Sequence, residues 1–525
     1  MHIRGTNMIS SNGVWDLIAQ RAAATPDAIF MVDDSGAQMT FGEFAERAEQ
    51  VAAGLYDLSV REGSVVSWQL PTWIEAAVLV GALSRLGATQ NPLVPIYREK
   101  EVGFIVQQAG PRLMVMPGTW RGYDYSEMAE RVAAQANDAG GDVTVISPGR
   151  ELPIGDPAVL PAPPAVADDP DAAPVRWIFY SSGTTADPKG AQHTDPSVIA
   201  GAMVNVTAVG WTPDDVILLV FPFTHIGGIG LMLGAIAVGC RLALVEAFTP
   251  EGTAKVCFDQ KVTVAGGATP IHQALLAVHR AQPEAGLLKT VRVYPGGGAS
   301  KPPALHYEMK EELDSVGIVS GYGLTECPIL AMNKITDSDE HLANTEGAPA
   351  PGVTVKIVTL DGTVAGVGEV GEIRVKAPQL MRGYLDPELN DHAFDDEGFF
   401  RTGDLGKQDD EGFITITGRL KDVIIRKGEN ISAVEVENLL YTHPKIADVA
   451  VIGVPDEALG ERCCAVVVLA PDVDELTVSE VFDFCKEGGL MTQKIPEQIE
   501  VIDALPRNPT GKILKGDLRK TYANG

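Results

Sequence analysis

A chain in which short apolar runs alternate with helix-length segments has few folds open to it. Here such runs stand at 113–116, 143–146, 175–180, 216–220, 242–245, 262–265 and 291–294, bounded by glycine or proline. Uniformly apolar strands this short are buried on both faces, as in a largely parallel sheet with helices on either side. Helix starts can be read as well. Thr40 with Glu43, Thr72 with Glu75, Ser432 with Glu435 and Thr477 with Glu480 predict four capping boxes. Behind Thr40, the residues Phe44, Ala48, Val51 and Leu55 share one face; the helix after Thr72 is apolar almost all round and belongs between layers. From 353 the texture changes: 353–358, 372–375 and 413–417 read as antiparallel strands with turns such as Asp361-Gly362. After Arg419 a separate strand-and-helix pattern begins. The prediction is an α/β protein. A large N-terminal domain, 1–420, holds stacked, mostly parallel sheets with helices and a small β-barrel-like part. A small α+β C-terminal domain covers 421–525.

Composition narrows the function. The chain has 525 residues, enough for two to four domains with real cores. Its formal charge is −29, which repels nucleic acid and anionic membrane surfaces. Any anionic substrate must therefore be held by few, well-placed cations. Six cysteines form no CxxC pair and no zinc spacing, so free thiols in a reducing compartment, the cytoplasm, are expected. The N-terminus leads into no apolar run, so no signal peptide is read there. Residues 216–240 carry no charge and could span a bilayer by length, but Pro222, His225 and repeated glycines break them. A strand, a loop and a small-residue core helix are expected instead.

The chemistry-bearing segments are spread along the chain. Tyr180-Ser181-Ser182-Gly183-Thr184-Thr185-Ala186-Asp187-Pro188-Lys189-Gly190 sets hydroxyls, backbone N–H groups and one lysine after an apolar strand. A phosphate chain needs such groups, though an ordinary polar turn has the same ingredients. It is not a Walker loop, since the lysine precedes its glycine and no GKS or GKT follows. Gly366-Val367-Gly368-Glu369-Val370-Gly371 matches GxGxxG, but it leads into a strand-like segment where a dinucleotide fingerprint requires a helix. Further on stand Gly321-Tyr322-Gly323-Leu324-Thr325-Glu326, Arg401-Thr402-Gly403-Asp404, Gly418-Arg419-Leu420-Lys421-Asp422 and Pro506-Arg507-Asn508-Pro509-Thr510-Gly511-Lys512.

In this order, these motifs resemble the acyl-adenylate-forming superfamily of acyl-CoA synthetases, adenylation domains and luciferases, over roughly residues 15–520. The resemblance implies a two-step reaction. A carboxylate attacks the α-phosphate of ATP to give acyl-AMP and pyrophosphate; a thiol, usually that of CoA, then displaces AMP. Two unit charges ~4 Å apart oppose each other by ~4 kcal/mol at an effective ε of ~20, so the site must neutralise charge and align the reactants. The resemblance assigns Ser181, Ser182, Gly183, Thr184, Thr185 and Lys189 to the β/γ-phosphates. It gives Mg²⁺ to Glu326 and the α-phosphate to Thr325. Tyr322 lies against adenine, with Gly298, Ala299 and Ser300 on the other side. Asp404 takes the ribose hydroxyls, Arg419 the ribose or phosphate, and Lys512 bridges the reacting carboxylate and α-phosphate.

His225 reads either as a buried histidine bonded to backbone or, by resemblance, as the acyl-pocket wall. Gly266, Gly267 and the run 296–298 read equally as room for a bulky acid or as tight packing. By resemblance the C-terminal domain is mobile, with Lys421 at its hinge. Lys427, Gly428 and Glu429 would lie in the loop that enters the site for the thiol step. Two positions depart from the family: Ala186 and Lys427 stand where relatives commonly have glycine. The implied activity is an ATP-dependent carboxylic acid–CoA ligase acting on a medium- or long-chain fatty acid or an alicyclic acid. Loading of a carrier-protein thiol and a non-catalytic nucleotide- or acyl-binding relative are the alternatives. Oligomeric state is open, a homodimer included.

Overall fold

The computed structural model describes residues 8–181, 188–298, 301–427, 429–456, 458–471, 473–507 and 512–523. Two stacked sheets build the N-terminal part. The first has seven strands, in the order Gly383–Tyr384, Lys189–Thr194, Val175–Ser181, Thr89–Pro92, Val65–Trp68, Leu113–Val115 and Thr144–Ile146. It is parallel from Val175–Ser181 outward, and antiparallel only where Lys189–Thr194 folds back on Val175–Ser181 and pairs with Gly383–Tyr384.

In the second sheet Val216–Leu219 and Arg241–Leu244 run parallel beside Ile29–Val32. Single bridges from Ile217 to Val264 and from Val264 to Val293 carry it on to Tyr294–Gly296 and Ile318–Leu324. The run at 262–265 is thus a bridge and not a full strand. The helices Ile74–Leu86 and Ile226–Val238 are buried nearly all round and share one hydrophobic cluster with residues of both sheets, such as Trp68 and Leu219. Burial on every side is why their sequences carry no polar stripe.

The capping boxes at Thr40 and Thr477 form, and the Ser432 hydroxyl accepts from the Glu435 N–H. Thr72 does not cap: the helix starts at Ile74 after Trp73. There the Trp73 indole donates to Glu246, and Glu75 faces Arg150 at 3.3 Å, so the motif's carboxylate is engaged elsewhere. The segment 216–240 is a strand and a 13-residue helix, as expected, and no described helix is long and apolar enough to cross a membrane. All six cysteines are buried free thiols.

The barrel-like part is a four-stranded antiparallel sheet, Thr354–Val358, Gly371–Lys376, Phe400–Gln408 and Ile414–Arg419. Beyond it, Gly460–Leu469 pairs with Ile446–Asp456, Ile424–Arg426 and Gln498–Val501, and the helices Ala433–Leu440, Val478–Glu487 and Lys515–Tyr522 complete a small α+β unit. Its hydrophobic clusters begin at Ile424, and those of the larger part end at Ile414.

Candidate active site

The hydroxyl-rich segment lies between two antiparallel strands. Ser181 and Lys189 are cross-strand partners, so the chain leaves and returns at one point of the sheet. Ser182, Gly183, Thr184 and Thr185, with Ala186 and Asp187, lie outside the described residues, as do Ala299, Ser300 and Gly428 and the side chain of Glu429. Beside the two strands, Glu326 is 8% exposed, and its Oε1 accepts from the Tyr384 hydroxyl at 2.8 Å and from Ser181 Oγ at 3.3 Å. Lys189 Nζ stands 5.4 Å from the centre of the Tyr384 ring. Burial, then the nearby Glu326 charge, raises the pKa of that phenol and keeps it a donor.

The turn carrying Thr325 and Glu326 is held tightly. A side chain at Gly323 would place its Cβ 2.2 Å from the Ile329 nitrogen, and Ile329 itself sits at φ +48°, strained for a β-branched residue. His193, fully buried, faces the Thr325 carbonyl through Nε2 at 2.9 Å and Ser197 Oγ through Nδ1 at 3.1 Å. A carbonyl only accepts, so Nε2 carries the proton. Burial pushes the His193 pKa down to about 4, which fixes the neutral ring. Tyr384 and His193 escaped the sequence reading; the signal for His193 was its place four residues after Lys189, just before the helix Asp195–Val209.

These donors are hard oxygens around one carboxylate, and no cluster of three or more His, Cys, Asp or Glu able to hold a metal exists among the described residues. That set suits Mg²⁺ shared with substrate phosphates and does not suit zinc.

Asp404 is 4% exposed. Its Oδ1 meets Arg419 Nε at 2.8 Å, and its Oδ2 accepts from the Tyr322 hydroxyl at 2.8 Å. The two residues are opposite one another on adjacent strands, which brings the third and fourth motifs together. Lys512 reaches the same place from the C-terminal unit. Burial, then the charge of Arg419, pulls its pKa down to about 8, with Asp404 opposing. Lys421, in the turn Leu420–Asp422 between the two parts, is also depressed by desolvation and by Arg419.

A cavity of about 650 Å³ joins the groups, with Ser181, Lys189, Thr325, Glu326, Tyr322, Asp404, Arg419, Lys421 and Lys512 at one end and His225, Gly266 and Gly267 at the other. A second, of about 830 Å³, opens from Gly298, Tyr322, Asp404 and Lys512 along the C-terminal unit. His225 is half-buried. It lines the cavity, and its Nδ1 accepts from the Gly227 N–H at 3.0 Å as the N-cap of Ile226–Val238. Desolvation lowers its pKa to about 4. Gly267 lines the cavity, and a Cβ there would stand 2.8 Å from Ile271. Lys427 is exposed, lines neither cavity and holds φ +50°, a left-handed backbone that glycine adopts more readily than lysine.

The family model for the AMP-binding enzyme matches residues 18–385, and that for the AMP-binding enzyme C-terminal domain matches 435–512. The chain belongs to the AMP-binding enzyme family. A medium-chain fatty-acid–CoA ligase of Escherichia coli is 33% identical, covering 97% of this chain and 91% of that protein. A salicyl-AMP ligase / salicyl-S-ArCP synthetase of Mycobacterium tuberculosis is 30% identical over 95% and 89%. Among solved structures, ATP-bound MatB from Rhodopseudomonas palustris is 27% identical and matches with a TM-score of 0.86, covering 97% of this chain and 99% of that one. The apo form of the same protein matches at 0.78, over 98% and 99%. Membership and these relatives support AMP-forming acid ligase activity.

Proposed function

We propose that the protein is an ATP-dependent carboxylic acid–CoA ligase that forms acyl-CoA, AMP and diphosphate through an acyl-AMP. The observation that carries this is the continuous cavity. It sets an apolar pocket against a cluster of buried charge, the arrangement needed to bring an acid to a nucleotide. The acid lies between His225 and Gly266-Gly267, with its carboxylate toward Lys512. Ser181, Lys189 and Thr325 hold the phosphates, with the loop 182–185. Tyr322 and the segment 298–300 flank the adenine, and Asp404 and Arg419 hold the ribose. Mg²⁺ held by Glu326 would neutralise phosphate charge and lower the barrier to attack. Tyr384 and Ser181 fix the Glu326 carboxylate toward it, and His193 fixes the Thr325 turn. The reading favours a medium- or long-chain fatty acid or an alicyclic acid, in the reducing cytoplasm that six free thiols suit.

With a suitable acid and ATP, pyrophosphate is expected at once, and AMP release should rise on adding CoA. The salicyl-AMP ligase relative favours a second reading, delivery to a carrier-protein thiol. Turnover with a carrier protein and none with CoA selects it.

Glu326→Gln should need much more Mg²⁺ for adenylation, since a neutral amide is a poor ligand for a hard cation. A magnesium titration that overlays the wild type removes Glu326 from the metal.

We take 1–420 and 421–525 as the two moving parts. Lys512 in the nucleotide cavity is the adenylating pose, and the better match to an ATP-bound relative than to its apo form supports it. Rotation about Lys421 would withdraw Lys512 and present 427–429 for the thiol step. Lys421→Pro fixes φ near about −65°. Acyl-AMP formation should persist in this variant while thioester formation fails. Equal loss of both steps refutes the hinge.

A further inference from the structure

We propose that the acid activated here carries a neutral hydrogen-bonding oxygen, a hydroxyl or a ketone, on an otherwise apolar body, and that Asn205 recognises it. This rests on the ligase reading above and names the substrate class for the same cavity.

Asn205 lies on the helix Asp195–Val209, lines the 650 Å³ cavity and is only 9% exposed. No hydrogen bond to its side chain exists among the described residues. The amide nitrogens of the other buried amides all donate within the protein, although Gln69 Oε1 and Gln90 Oε1 have no partner among the described residues. Asn91 donates to the Ile178 carbonyl, Asn333 to that of Thr345 and Gln379 to that of Ile329. Gln69 donates to the Val94 and Tyr97 carbonyls, and Gln90 to that of Val80 and to Ser84 Oγ. The amide atoms of Asn205 open onto the cavity and are not sealed in the core. A ligand group there can take both the donor and the acceptor in place of solvent.

The surroundings define that group. Val198, Ala202 and Leu231, which line this part of the cavity, are apolar. The charged lining residues, such as Lys189 and Glu326, belong to the phosphate end. A second carboxylate or an amine on the acid would have no counter-charge here, whereas an amide both donates and accepts and so suits a hydroxyl or a ketone. Position follows from the helix. A Cβ at Gly201 would stand 2.8 Å from Pro328, two residues past Glu326. Asn205 is one turn further, about 6 Å along the helix. The oxygen therefore sits several bonds from the carboxyl group.

The test uses the full chain with ATP and Mg²⁺, reading pyrophosphate release. The acids are octanoate, decanoate and 3-cyclohexylpropanoate, each beside its hydroxy and oxo derivatives at successive positions. At least one oxygenated acid should exceed its parent tenfold or more in kcat/KM. Asn205→Leu should abolish that preference and favour the parent, because a site built to bond a polar group discriminates against the analogue lacking it. Without ligand, Asn205→Leu should melt at the same or a higher temperature, since no hydrogen bond among the described residues is lost. The proposal is overturned if no derivative outperforms its parent, if Asn205→Leu changes both acids alike, or if its melting temperature falls by several degrees. Pyrophosphate release from none of the acids, parents included, would instead overturn the ligase reading, and this proposal with it.

Discussion

Lys512→Ala is expected to lose ~10²–10³ in the rate of pyrophosphate formation from acid and ATP, the usual cost of removing one preorganised electrostatic donor. Given ready-made acyl-AMP and CoA, the same variant should still form thioester at a near-normal rate. The asymmetry follows from where charge builds up. Carboxylate attack concentrates negative charge at the α-phosphate, beside Lys512; displacement of AMP by a thiol does not require that cation. The depressed pKa adds a pH signature. A lysine titrating near 8 in the free enzyme is protonated below that value and neutral above it. Adenylation kcat/KM should hold up to about pH 8 and then fall tenfold per unit. Lys512→Arg retains its charge throughout and should flatten the fall, even if its rate is lower. Equal damage to both half-reactions by Lys512→Ala, or an unaltered alkaline limb in Lys512→Arg, would take Lys512 out of the adenylation step.

The sequence revealed the polar residues of this site better than their supports. Asp404, Arg419, Glu326 and Lys512 sit in motifs whose residue types are chemically conspicuous, and the structure gathers them around one cavity. Their placement rests on contacts that no short pattern records. Tyr384 comes to Glu326 because a two-residue strand adds to the edge of the first sheet, 58 residues away in sequence. His193 looked like any strand residue until the fold set the Thr325 carbonyl against it. Thr72 shows the reverse error. The capping pattern was present, but Trp73 and Glu75 are drawn to Glu246 and Arg150, and tertiary contacts overrode the local preference. The strands at 65–68 and 89–92 are not legible as apolar runs, because Ser67, Gln90 and Asn91 interrupt them. Two of those polar groups are satisfied inside the core: Ser67 Oγ donates to Asn91 Oδ1 at 2.7 Å, and Asn91 Nδ2 donates to the Ile178 carbonyl.

Asp404 allows a sharper prediction, because the structure shows which partners its carboxylate already has. A carboxylate offers about four lone-pair positions. Arg419 Nε takes one on Oδ1, and the Tyr322 hydroxyl takes one on Oδ2, each at 2.8 Å. About two remain, one for each hydroxyl of a ribose diol. Hydrogen bonds to a charged group contribute ~1.5–3 kcal/mol each. Losing both should raise the KM for ATP by about 10²-fold or more in Asp404→Ala, with the KM for the acid nearly unchanged. The variant also leaves Arg419 without its carboxylate and Tyr322 without its acceptor, so reduced stability is expected beside the kinetic effect. Deoxynucleotides separate the two. Wild-type enzyme should use 2′-deoxy-ATP and 3′-deoxy-ATP at least tenfold less well than ATP. Asp404→Ala should use all three alike, because the partner of the missing hydroxyl is already gone; this is a double-mutant cycle with the second change made on the ligand. A merely structural role for Asp404 would lower activity with every nucleotide in proportion and leave the wild-type preference for the ribose intact. That result would assign the ion pair with Arg419 to holding strands together and would require another group to bind the sugar.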